Sequence, residues 1–278
     1  MACYLDWVAV LELRTARDKK FFSPRRFAHF CRRSSSCDNV LTCKIRQALA
    51  YLIFDLVAFL SLRENGMKVI ALNHHQFGEH LNLLDTMYRL RRRIFKDRLD
   101  WSVSTSGDLE IDVYDVLNPT YLLVMQNAIE VVGCVRLLPT TGPTMLADTF
   151  SVLLDGRQPP RSPRILESSR FCIDTQRANE LAENGLRRAT FILFAAMLEC
   201  LRFSNANSIV TVTDVRMERI LRRAGWPLDR IAPPQRVGQT TALAGFLHES
   251  EGALAAMYQN AGVTGPVLVE PGMLPAAA

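Results

Sequence analysis

The chain has 278 residues, 49% hydrophobic and 22% charged, with a formal charge of +5. That balance supplies a sizeable core and excludes a chain disordered throughout. The basic excess sits entirely in residues 1–66, with 11 basic and 6 acidic residues; the rest holds 22 of each and gives no electrostatic reason to expect nucleic acid.

In residues 1–66, Asp6 and Glu12 interrupt any secretory leader. The apolar run 48–62 contains Asp55 and falls short of the roughly 20 residues a membrane span needs. A cytoplasmic protein with no membrane partner is the expectation. Cys31, Cys37 and Cys43 lack the paired spacing of a zinc site, and Cys3, Cys134, Cys172 and Cys200 are scattered, so all seven read as reduced thiols with no metal.

After a composition break at Glu64-Asn65-Gly66, Met67 to Leu72 reads as a strand. His74, His75 and His80 read as a surface cluster rather than metal ligands. Phe77, Leu81, Leu84, Tyr88, Arg91 and Phe95 recur at steps of three and four and predict one helix face. Arg91 is the anomaly on that stripe, because a buried arginine needs an acidic partner or a ligand. Trp101 to Pro119 is polar and aperiodic, a long loop of the kind that is usually functional.

Tyr121 to Met125 and Val131 to Leu138 predict a hairpin, and Arg164 to Ile173 a further strand. A helix is expected from Ala178 to Phe203, with Leu181, Leu186, Phe191, Phe194 and Leu198 among its apolar positions. Ser208 to Thr213 reads as a buried strand, and Val215 to Ala224 as a helix stopped by Gly225 and Pro227. Gln239 to Leu247 is the last predicted strand; residues 249–278 are expected to form a C-terminal tail, loose from Gly262. Alternation with one hairpin predicts a single α/β domain of three layers, with a mixed sheet between helices.

No nucleophile elbow, Walker loop, zincin motif or dinucleotide fingerprint is present. Instead, charged side chains stand at otherwise apolar positions or in the polar loop: Arg91, Asp112, Asp115, Arg136, Glu167 and Arg170. Such a set is either a group of buried ion pairs or a site.

Arg136 to Phe150, RLLPTTGPTMLADTF, resembles the acyl-homoserine lactone synthases, the autoinducer synthases of quorum sensing. Arg91, Phe95 and Trp101 stand in RRRIFKDRLDW at the family's spacing. Asp112 and Asp115 match its acidic pair in IDVYD, Glu167 and Arg170 its ESSRF motif, and residues 210–213 its acyl-side strand. The resemblance covers Met67 to Leu247.

It implies a GNAT-like α-β-α sandwich with a splayed sheet, acting on S-adenosylmethionine and an acyl thioester. S-Adenosylmethionine is a substrate there, and no cofactor is implied. The methionine amine is acylated, the lactone closes, and methylthioadenosine leaves. On this reading Arg91 or Arg136 grips the methionine carboxylate with forked hydrogen bonds, and Asp112 and Asp115 hold the cationic end. Phe95 and Trp101 cover the sulfonium and adenosine. Glu167 is the general base, with Arg170 orienting it or meeting substrate. Thr211 is the candidate contact to an oxygen on the third acyl carbon.

Glu167 and Arg170 are three apart, so on a regular strand they face opposite sides and share a site only near a bulge or strand end. The donor is acyl carrier protein or acyl-CoA; Arg216, Arg219, Arg222 and Arg223 on one predicted helix are a candidate docking patch for an acidic carrier. Residues 1–66 match nothing in the family, and Met67 is the expected natural start. The alternatives are a GNAT-like N-acyltransferase using acyl-CoA with another amine, and a non-catalytic binding protein.

Overall fold

The computed structural model describes residues 67–126, 130–178, 182 and 186–269. The extension expected at residues 1–66 lies outside the described residues. Eight strands form the main path of a nine-stranded mixed sheet in the order β11-β1-β4-β5-β6-β7-β10-β8, and β9 pairs with β10. They are β1 (Lys68–Asn73), β4 (Thr120–Met125), β5 (Val131–Pro139), β6 (Ile165–Ile173), β7 (Ser208–Asp214), β8 (Asp229–Arg230), β9 (Gln235–Val237), β10 (Thr240–His248) and β11 (Leu268–Val269). Only β1–β11 and β6–β7 are parallel.

Helices cover both faces, which is the expected three-layer α/β architecture. On one face lies α1 (Leu81–Arg91), packing Leu83, Leu84, Met87 and Leu90 against Ile70, Leu72, Tyr121 and Leu123. On the other face α3 (Arg188–Phe203), α4 (Val215–Ala224) and α5 (Glu251–Ala261) enclose the larger core around Phe191, Phe194, Leu198 and Trp226. Among the described residues no helix is long and apolar enough to cross a membrane.

Three expectations change. The stripe from Phe77 to Phe95 is not one helix: Phe77 sits in a 3-10 turn (His74–Glu79), and after Arg91 the backbone widens into a π-turn (Arg92–Arg98). Insertions of this type recur at functional sites, where they re-aim side chains. The α3 helix begins at Arg188 rather than Ala178.

Residues 249–269, placed in the expected C-terminal tail, hold a packed helix and a short strand. Ser250 caps α5 by accepting from the Ala253 N–H, and Met257 and Leu254 enter the core. Glu199 of α3 then accepts from the Tyr258 hydroxyl (2.7 Å) and from the Val267 and Leu268 N–H groups (both 2.9 Å), fastening β11 to the sheet edge.

The strands β6 and β7 pair only over Ile165 to Ser168 and Ser208 to Thr211, although each continues further. Beyond that register the two strands are no longer paired, which is the splay the resemblance implied.

Candidate active site

Tyr121, Arg136 and Ser169 are direct cross-strand neighbours on β4, β5 and β6, so they share a face. Leu138 and Glu167 are the next such pair along, on the same face. On a regular β6, Arg170 would point away from it. The register instead slips between Cys134 and Arg136, where the single Val135 faces both Arg170 and Phe171. Arg170 adopts φ +56°, the left-handed region that a non-glycine residue occupies at some cost. The bulge returns its side chain to the α1 face, so Glu167 and Arg170 lie on the same face of the sheet.

The acids arrive on a different element. Residues 101–119, expected as a loop, contain a short hairpin, β2 (Thr105–Ser106) and β3 (Leu109–Glu110), followed by a 3-10 turn (Val113–Val116). Asp112 caps that turn by accepting from the Tyr114 N–H, and Asp115 reaches back to the Asp112 N–H. Glu110, Asp112 and Asp115 thereby project onto the arginines from one segment.

Together they close a ring of ion pairs. Arg91 donates to Glu110 (2.5 Å) and forks onto Asp115 (2.8 and 2.9 Å). Arg136 bridges Asp115 (2.8 Å) and Asp112 (2.5 Å). Arg170 bridges Asp112 (2.7 Å) and Glu110 (2.9 Å). Each of three guanidiniums meets two carboxylates and each carboxylate meets two guanidiniums, so charge cancels within the ring. Removing any member leaves a buried charge short of a partner.

Glu110 is absent from the sequence-derived set. Its signal was its place two residues before Asp112, in a segment that must supply as many acids as the sheet and α1 supply arginines.

Burial sorts the ring. Arg91 and Arg136 have no exposed surface, whereas the Arg170 and Asp112 side chains keep 12% and 9% of theirs. The forks of Arg91 and Arg136, expected on a ligand carboxylate, lie on the ring carboxylates here. Burial opposes the charges of Arg91 and Asp115, yet their pairing prevails: the Arg91 pKa rises and the Asp115 carboxyl is held well below the usual carboxylate range.

Glu167 stands apart from the ring. Its two oxygens accept from the Met145 (2.8 Å) and Leu146 (2.7 Å) N–H groups at the start of the short helix α2 (Met145–Asp148). Burial raises its pKa, and these backbone donors with Arg136 only partly offset the rise. Its link to Arg170 is indirect, through Met145, whose sulfur lies 3.1 Å from Arg136 Nη2 and 3.6 Å from Arg170 Nη1.

Phe95 is buried in the α1-side core, with the Arg170 guanidinium 5.6 Å above its ring. Trp101 stacks on Phe95 at 5.3 Å and remains 40% exposed. An exposed indole over a buried phenyl beside the ring is a platform for a flat or cationic group. Thr211 lies where β6 and β7 part, and its hydroxyl donates to the Ser168 carbonyl (3.2 Å). Arg216, Arg219, Arg222 and Arg223 are all exposed on α4.

The chain is similar to known proteins in sequence and in fold. The family model described as autoinducer synthase matches residues 75–257. A probable acyl-homoserine-lactone synthase of Sinorhizobium fredii is 43% identical over 181 residues, 65% of this chain and 87% of that protein. The crystal structure of the AHL synthase LasI is 34% identical, with a TM-score of 0.61 over 72% of this chain and 98% of that one. TofI, solved in a ternary complex with an inhibitor and MTA, is 28% identical, with a TM-score of 0.57 over 69% of this chain and 96% of that one. The sheet with its helical layers is the GNAT-like fold the resemblance implied, and the chain belongs to the autoinducer synthase family, the acyl-homoserine-lactone synthases.

Proposed function

We propose that this site transfers an acyl group from acyl carrier protein or acyl-CoA to the amine of S-adenosylmethionine, then closes the homoserine lactone and releases methylthioadenosine. The observation that carries the reading is a buried carboxylate of raised pKa, Glu167, beside a charge-balanced ring whose exposed members are one cation and one anion, Arg170 and Asp112. Methionine's carboxylate and ammonium match that pair, with Arg170 meeting the first and Asp112 the second. Arg91, Arg136, Asp115 and Glu110 hold those two in place. Trp101, with Phe95 beneath it, covers the sulfonium and adenosine. The MTA bound by TofI is what S-adenosylmethionine leaves after this chemistry.

Glu167 takes a proton from the ammonium, directly or through water, because only the free amine attacks a thioester carbonyl. The tetrahedral intermediate collapses with loss of the thiol. Lactone closure then needs the carboxylate held behind the carbon bearing sulfur, which is positioning work for Arg170. No cofactor takes part; S-adenosylmethionine is consumed. The acyl chain runs toward the apolar cluster of Leu146, Leu153, Val210 and Ala244 beside Glu167, past Thr211. The exposed α4 arginines receive an acidic carrier. Both substrates are cytoplasmic metabolites, which places the reaction in the cytoplasm, without nucleic acid or membrane.

Calorimetric titration with S-adenosylmethionine tests this assignment. The wild-type chain is expected to bind it, and Trp101→Ala to weaken binding by about 0.5–2 kcal/mol, the range of a cation–π contact. Equal affinity in the two proteins would remove Trp101 from the site.

A further inference from the structure

Asp115 receives more donors than a carboxylate has lone-pair sites, about four. Its Oδ1 accepts from Arg91 Nη1 (2.8 Å), Arg136 Nη1 (2.8 Å) and the Tyr121 hydroxyl (2.6 Å). Its Oδ2 accepts from Arg91 Nη2 (2.9 Å) and the Asp112 N–H (2.8 Å). Four of the five donors belong to ring members themselves. Tyr121 is the exception, a neutral donor carried by the centre of the sheet.

Its ring has little freedom. Tyr121 is fully buried in register with Leu72 and Arg136. Phe77 stacks on it at 5.4 Å, and Tyr88 packs edge-on at 6.3 Å. The Tyr88 hydroxyl lies 3.2 Å from that of Tyr121. Because Tyr121 spends its one proton on Asp115, Tyr88 is the donor in that pair, strengthening the contact that follows.

We propose that Tyr121 is a positioning residue of the lactone-forming site: its hydroxyl fixes the Asp115 carboxylate between Arg91 and Arg136, and so sets the ring that meets S-adenosylmethionine. The inference rests on the function proposed above. Burial and Asp115 push the Tyr121 pKa far up, while the arginines hold Asp115 ionised, so the hydroxyl keeps its proton and donates it to the carboxylate.

The test is steady-state kinetics of Tyr121→Phe in the full chain, varying S-adenosylmethionine and the acyl donor separately, with a melting curve for each protein. Loss of a hydrogen bond to a charged group predicts a rise of about tenfold in KM for S-adenosylmethionine. The donor's KM is expected to stay unchanged. Tyr88→Phe, which only weakens the donor, predicts a rise of about twofold in the same constant.

A lowered melting temperature with both KM values unchanged would overturn the proposal, since a purely structural tyrosine behaves that way. Should Tyr121→Phe fail to fold, an unchanged constant in Tyr88→Phe overturns it equally. A wild-type protein that forms no lactone with any donor removes the functional reading and the proposal together. An active wild type with an unaltered Tyr121→Phe removes this proposal alone.

Discussion

At the scale of residues, the site divides its charged groups by environment. Asp115 is held ionised by Arg91 and Arg136, whereas burial raises the pKa of Glu167 and its two N–H donors only partly offset the rise. Pairs of carboxylates driven apart in this way take different tasks, one structural and one chemical. The native pKa of Asp115 lies below its unfolded value of about 3.8, so its contribution to stability is fully present above that pH and is lost as the pH falls toward the native value. Asp115→Asn leaves two buried guanidiniums underpaired and is expected to cost about 3–5 kcal/mol in urea unfolding at pH 7, with the difference from wild type shrinking in acid.

At the scale of elements, the bulge in β6 and the segment from β3 through the 3-10 turn do the assembling. One aims Arg170, and the other delivers three carboxylates. Tyr114 links that segment to α2 through a 2.7 Å contact between its hydroxyl and that of Thr149, so the acids and the cradle of Glu167 are tied together.

The C-terminal elements serve the opposite face. Glu199→Ala removes the acceptor for the Tyr258 hydroxyl and two β11 N–H groups, and an unsatisfied buried donor costs about 1–3 kcal/mol. A loss of at least about 2 kcal/mol in thermal or urea unfolding is expected, with faster hydrogen exchange at Val267 and Leu268. Unchanged exchange there would show that Glu199 does not hold β11.

Much of this was legible in the sequence because strands and charged anomalies leave local marks. The strands β1, β4, β5, β6, β7 and β10 each fall within a residue or so of the positions that alternation and β-branching indicate. Arg91 on an apolar stripe correctly signalled a buried partner. Glu110 escaped because its role depends on distant arginines: beyond its place two residues before Asp112, only their number calls for a third acid. The helix α5 escaped because its residues are small and its amphipathic pattern weak: Gly252, Ala253, Ala255 and Ala256 give little periodicity, and its place is fixed by α3. The bulge at Arg170 was required by the chemistry without being marked by any turn residue.

At the scale of the whole molecule, β6 carries Glu167 and Ser168 where it pairs with β7 and Arg170 just beyond, where the pairing has ended. On the function proposed above, Glu167 drives acylation of S-adenosylmethionine at this site. The most direct measurement incubates the purified chain with S-adenosylmethionine and a panel of acyl carrier protein and acyl-CoA donors, following methylthioadenosine and acyl-homoserine lactone by mass spectrometry, in the wild type and in Glu167→Gln. Both products are expected in equal amounts from the wild type, with a folded variant slower by at least about a hundredfold, the low end for loss of a general base. Near-normal turnover in Glu167→Gln would contradict the base assignment, and a folded wild type that yields no lactone with any donor would contradict the account as a whole.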